Sequence, residues 1–163
     1  NGRAHDGAHR AGLASPASPA SGESCAECRA ATEAVARELR ALRVLVAEDD
    51  LINRLTVQRM LEREGHRAVC VENGADAVRA AGEADYDIIL MDIQMPGMDG
   101  TEAARRINDL ARSTGRTRPP IVALTAHALR GDRERFLESG MDDYIAKPLE
   151  RDVLRRVLQR LSN

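Results

Sequence analysis

No apolar run in this chain of 163 residues approaches the ~20 residues that a membrane-spanning helix needs, and nothing at its start reads as a secretory leader. Cysteine is scarce. Cys25, Cys28 and Cys70 do not make a disulfide framework. Cys25 and Cys28 form a CxxC, but no second CxxC or HxxxH completes a zinc site. They read as two thiols on a helix face in a reducing cytosol. Cys70 lies in an apolar run and reads as a small core residue. Aromatics are few, with two tyrosines, one phenylalanine and no tryptophan. Neither sign of charge dominates. The net charge of −2 gives no overall pull toward nucleic acid or an anionic membrane. Lysine is nearly missing: of 24 basic residues all are arginine except Lys147.

What is present suffices for one ordinary domain and an appendage. The chain is 43% hydrophobic and 31% charged, enough to bury a core and stay in solution. It opens on Asn1 rather than Met, which leads us to expect a piece of a longer protein. Residues 1–22 are Ala, Gly, Ser, Pro and His with almost no large apolar side chains. Such a segment cannot offset its ordering entropy by burial, so a disordered linker is expected. Residues 23–41 read as a linker helix. Ser24 and Glu27 form a capping box, and Cys25, Cys28, Ala31, Val35, Leu39 and Leu42 make one apolar stripe. That stripe fits a face packed on the following domain, a face for a partner helix, or a marginal linker helix.

From residue 42 to residue 163 the pattern alternates. Strands are predicted at Arg43–Ala47, Arg67–Val71, Asp87–Met91 reaching Asp92, Ile121–Leu124 and Tyr144–Ala146. Helices are predicted from about Ile52 to Glu64, stopped by Gly65, and from Ala75 to Ala81, closed by Gly82. Three more run from a cap at Asp99 to about Arg112, from about Leu129 to Glu138, and from Leu149 to Leu161. Five strands alternating with five helices, with continuous apolar strands, call for an open parallel α/β sheet. No internal repeat is visible.

Ligands of such sheets lie outside the carboxyl ends of the strands. Glu48, Asp49 and Asp50 follow the first strand, Asp92 ends the third, Thr125 follows the fourth and Lys147 the fifth. Asp50 also suits a plain helix cap. Carboxylates gathered at one rim repel one another without a cation. Oxygen-only ligands point to Mg²⁺ or Mn²⁺. An ammonium and a hydroxyl beside them suit an anion, so the set describes phosphoryl transfer onto an aspartate. A lone lysine in a chain that otherwise writes arginine asks for a reason. A slim ammonium can touch both a carboxylate and a phosphate where a flat guanidinium would not fit.

The stretches VLVAEDD, DIILMDIQMPGMDG, IVALTAHA and GMDDYIAKP resemble the receiver domain of two-component response regulators. The phrases DIQMPGMDG, TAHA and MDDYIAKP are most similar to receivers fused to hybrid histidine kinases. The resemblance covers residues 42–163 and implies a flavodoxin-like, doubly wound sheet of order 2-1-3-4-5. It implies phosphorylation of Asp92 by a partner phosphohistidine, in cis or in trans, or through a histidine phosphotransfer protein. It assigns the metal to Asp49 directly, to Asp92, to the backbone carbonyl of Gln94, and to Glu48 through water. It assigns the phosphoryl oxygens to Thr125, the amide of Ala126 and Lys147, and a switch role to Thr125 and Tyr144. It implies a cytoplasmic module without nucleic-acid or direct membrane contact. Glu48 departs from the family, where many members have Asp, which leaves the metal geometry there open.

No Gly-rich ATP-binding motif is present, so no kinase core is expected within this chain. The sequence ends soon after the last helix, so no DNA-binding output domain is expected. His5, His9, His66 and His127 lack a dimerisation-helix context. An aspartyl phosphatase would carry a second acid two residues after the nucleophile, where Gln94 stands. A flavodoxin-like binding module would carry a Ser/Thr/Gly loop after the first strand, where this chain is acidic.

Overall fold

Strand β1 (Arg43–Ala47) is buried from Val44 onward and leads through a short turn into helix α1 (Leu51–Arg63) in a computed structural model that describes residues 40–126 and 132–162. There follow β2 (Arg67–Val71), α2 (Gly74–Glu83), β3 (Ile88–Asp92), α3 (Gly100–Thr114), β4 (Ile121–Thr125), α4 (Asp132–Glu138), β5 (Asp143–Ala146) and α5 (Arg151–Leu161). The strands are parallel and ordered β2-β1-β3-β4-β5. The doubly wound arrangement and its order are those expected. The linker at 1–22, residues 23–39 of the expected helix with Cys25 and Cys28, the start of a helix near Leu129, and His127 lie outside the described residues, whereas Arg40 and Ala41, expected to end that helix, are not helical.

The three inner strands are apolar through their middles because helices cover both faces of the sheet. Side chains alternate between those faces with period two. Val44, Val46, Ile88, Leu90, Val122 and Leu124 meet Val57 and Leu61 of α1 and Leu154, Val157 and Leu158 of α5. Leu45, Ile89, Met91 and Ile121 meet Ala77 of α2, Ala103, Ala104 and Ile107 of α3, and Phe136 of α4. Each fully buried Leu or Ile contributes ~1.5–3 kcal/mol. Cys70, on edge strand β2, is half-buried against the first of these clusters, as a small core residue would be.

Side-chain caps start the helices where the site needs them. Asp50 Oδ1 accepts from the Asn53 amide at 2.8 Å, and Asp99 Oδ1 from the Glu102 amide at 2.9 Å. Gly65 ends α1 as expected, its amide bonding Glu62 O at 3.0 Å while the His66 amide bonds Leu61 O at 2.9 Å.

Several boundaries differ from the sequence reading. Gly82 does not close α2, which continues to Glu83. A Cβ at Gly82 would stand 3.1 Å from Leu110 Cδ2 of α3, so this glycine serves the close approach of two helices. Asp87 is outside β3. Its carboxylate instead takes Arg40 Nη2 and the Arg43 amide, each at 2.7 Å, tying off the start of β1. Helix α3 runs on to Thr114, where Gly115 turns the chain. Helix α5 begins at Arg151, because Leu149 is spent on the core before the helix starts. Thr125 is the last residue of β4 rather than the first beyond it.

Candidate functional site

The chain leaves β1 toward β2 on one side of the sheet and reaches β3 on the other, so the switch point lies between the carboxyl ends of β1 and β3. Glu48 follows β1 directly, its amide extending the ladder to Val71 O at 3.2 Å. Asp92 closes β3. Glu48 is 0% exposed and Asp92 5%, whereas Asp49 is open to solvent. One carboxylate oxygen from each of Glu48, Asp49 and Asp92 lies within 4.8 Å of the others. This oxygen-only trio fits a hard divalent cation. A buried carboxylate crowded by a second one gains most from such a cation.

Lys147 follows β5 and is held there by its amide, which donates to Thr125 O at 2.7 Å. Its Nζ stands 2.7 Å from Asp92 Oδ2 and 2.7 Å from Glu48 Oε2. Burial pushes the Glu48 carboxyl above the usual carboxylate range, with the Lys147 ammonium pulling against it and the Asp92 charge adding to the push. Burial also works to lower Lys147, but its bonds to Asp92 and Glu48 outweigh that and raise it. The second Glu48 oxygen accepts from Asn53 Nδ2 at 3.3 Å. Asp92 Oδ1 accepts from the Gln94 amide at 3.1 Å, which fixes the carboxylate from its own loop.

The remaining expected residues lie around this centre. Thr125 is 6% exposed at the end of β4, beside Asp92 on β3 through the Asp92–Leu124 register, and Ala126 follows it at the surface. Tyr144 is not in the carboxylate cluster. It sits half-buried on β5 in register with Ala123, its ring 6.2 Å from that of Phe136 and tilted 46°. The structure thus brings Glu48, Asp49, Asp92, Gln94 and Lys147 together, and places Thr125, Ala126 and Tyr144 along the β4–β5 side.

Three residues were not singled out by sequence. Asn53 reaches Glu48 from the first turn of α1, where its fellow positions gave no signal beyond capping. Arg54 binds the backbone of both β1-terminal acids. Gly100 starts α3 so close to β3 that a Cβ there would stand 2.2 Å from Asp92 O. Only a residue without a side chain lets the helix begin that near the acid. The available signal was Gly100 directly after the Asp99 cap.

Comparison with known proteins gives the family. The profile of the response regulator receiver domain matches residues 44–159. The sensor protein GacS of Pseudomonas syringae pv. syringae is 44% identical over 119 residues, 73% of this chain and 13% of that protein. The chain therefore spans a small part of that relative. The crystal structure of the receiver domain of sensor histidine kinase PA1611 from Pseudomonas aeruginosa PAO1, with magnesium coordinated in its active-site cleft, is similar at TM-score 0.68 and 43% identity. That similarity covers 76% of this chain and 98% of the other. A co-crystal structure of Saccharomyces cerevisiae Ypd1, a histidine phosphotransfer signalling protein, with the receiver domain of its downstream response regulator Ssk1 is similar at TM-score 0.73 and 30% identity, over 76% of this chain and 90% of the other. Among the described residues no helix is long and apolar enough to cross a membrane.

Proposed function

Since the chain belongs to the response regulator receiver family, we propose that Asp92 accepts a phosphoryl group from a partner phosphohistidine and that the domain switches between two states on doing so. The observation that carries this reading is the Lys147 ammonium 2.7 Å from Asp92, at the edge of three clustered carboxylates. Glu48, Asp49, Asp92 and the carbonyl of Gln94 would hold Mg²⁺ or Mn²⁺, which when bound neutralises charge on the phosphoryl oxygens.

The chain's own residues do the rest. The Asp92 carboxylate, held by the Gln94 amide and by Lys147, is aimed out of the end of β3. Its oxygen forms the new P–O bond as the P–N bond breaks. The imidazole leaves with that electron pair and takes up a proton. Lys147 turns from the carboxylates to the phosphoryl oxygens, and Thr125 and the Ala126 amide donate to them. These contacts exist only in the phosphorylated state, so they bias Thr125 and Tyr144 toward a second arrangement.

Residues 42–163 form the phosphoacceptor unit. The proposed place is a hybrid histidine kinase of the cytoplasm; the similarity to GacS, and to a receiver crystallised with a phosphotransfer protein, supports the phosphorelay part of that reading. The donor is then a phosphohistidine of a kinase or of a histidine phosphotransfer protein.

Incubation with Mg²⁺ and acetyl phosphate tests the reading. One phosphoryl group labile to hydroxylamine is expected by intact mass, and none in Asp92→Asn. An adduct that persists in the Asn variant would place the acceptor elsewhere.

A further inference from the structure

Arg54 has no part in the chemistry above, yet only 11% of its side chain is exposed. It closes the first turn of α1 and folds back toward β1. Its Nη1 donates to the carbonyls of Glu48 at 2.8 Å and Asp49 at 3.2 Å. Its Nη2 donates to Glu72 Oε1 at 2.8 Å, in the loop between β2 and α2. One guanidinium thus joins α1, the turn that carries both acids, and the neighbouring loop. The planar fork suits this, since its donors diverge in fixed directions.

The two acids depend on that turn to different degrees. Glu48 is buried and its carboxylate is held by Lys147 and Asn53. Asp49 is exposed, and its carboxylate has no side-chain partner among the described residues. Its place in the cluster follows from its backbone alone, and that backbone is what Arg54 grips.

We propose that Arg54 is the positioning residue for the metal-binding acids, fixing the Glu48–Asp49 turn so that the Asp49 carboxylate meets those of Glu48 and Asp92. This rests on the receiver reading. It separates from a simple charge effect by sign. A cation close to a divalent site weakens binding, so loss of its charge alone would tighten Mg²⁺. Loss of a positioning partner loosens it, by about 10–100-fold for groups that orient metal ligands.

The test titrates Mg²⁺ into the full chain and follows the amide resonances of Asp49 and Gln94 by NMR. Acetyl phosphate labelling is measured in parallel against Mg²⁺ concentration. Arg54→Ala is expected to raise the Mg²⁺ Kd about tenfold, with the labelling rate recovering at saturating Mg²⁺. Arg54→Lys restores part of the loss, because one ammonium can serve the carbonyls or Glu72 but not both. Glu72→Gln shifts the Kd in the same direction by less. Circular dichroism in EDTA checks folding, and if Arg54→Ala does not fold, Arg54→Lys decides, since it keeps the charge and loses the fork. A folded Arg54→Ala with an unchanged or lower Kd overturns the proposal, as do unchanged values in both other variants. A wild type that binds Mg²⁺ but takes no phosphoryl group overturns the phosphoacceptor reading and leaves the positioning role standing. A wild type that binds no Mg²⁺ removes both.

Discussion

Lys147 holds Glu48 as closely as it holds Asp92, at 2.7 Å to Glu48 Oε2. The longer side chain that sets Glu48 apart from an aspartate reaches across the mouth of β1 to the ammonium. Two nearly buried carboxylates thus share one cation before any phosphoryl group arrives.

Lys147→Met leaves both carboxylates buried without that cation. Breaking a buried pair in this way costs ~3–5 kcal/mol. Urea unfolding in EDTA should show a loss of that order, and Mg²⁺ should return part of it by binding the folded state. An equal loss with and without Mg²⁺ would mean that the freed acids do not form a metal site.

Lys147→Arg keeps the charge and should still fail to switch. Arginine is longer and directional, so it holds one arrangement of carboxylate and phosphoryl oxygens and obstructs the other. Amide shifts around Tyr144 on adding beryllofluoride, a stand-in for the phosphoryl group, should be large in the wild type and small in the variant. Wild-type shifts in the Arg variant would show that charge alone suffices.

Glu64 ties α1 to α5. Its bonds to Arg155 at 2.9 Å and to Arg151 at 2.5 Å, the Arg155 bond foremost, hold its carboxyl down at about 2. The folded value is below the unfolded one, so the stabilisation is full above the unfolded value near 4.5 and is lost as pH falls toward 2. The stability difference between wild type and Glu64→Gln, read from urea melts, should be constant from pH 7 to about pH 5 and shrink below that. A difference that holds unchanged down to pH 3 would rule out the charged pair as its source.

Gly140 has φ +82°, and a Cβ there would stand 2.2 Å from Asn108 Nδ2. That nitrogen donates to Gly140 O at 3.1 Å and to Ala104 O at 2.9 Å. Gly140→Ala therefore combines an unfavourable backbone region, ~1–2 kcal/mol, with the loss of a hydrogen bond, ~1 kcal/mol. Adding Asn108→Ala removes the clash, so the double variant should lose less than the sum of the singles. Strict additivity in thermal melts would show that the two residues do not meet.

Much of this architecture is legible in one dimension because the strands are apolar on both faces and the acids fall just past them. Lys147 stands out because its neighbours in composition are all arginines. The same composition hides Arg54, one guanidinium among many, whose contact with Glu72 spans 18 residues and exists only once β2 lies beside β1. Gly82 looks like a helix stop because its reason, Leu110 on α3, is a tertiary neighbour. The reach of Glu48 to Lys147 is a matter of one methylene and of the spacing of β1 from β5, which no local pattern encodes.

A single side-chain amine also decides how this protein answers to reagents. Lys147 is the one lysine, and 17% of its side chain is exposed beside the acids. Succinimidyl dyes, biotin esters and amine-coupled sensor surfaces, innocuous on lysine-rich proteins, find here one side-chain amine, on the floor of the phosphoacceptor cleft. A raised affinity for its proton slows acylation of that lysine while Glu48 and Asp92 hold it. The rate at which such an ester consumes Lys147 is then a chemical clock for the state of the site, in a chain that has no tryptophan to report it.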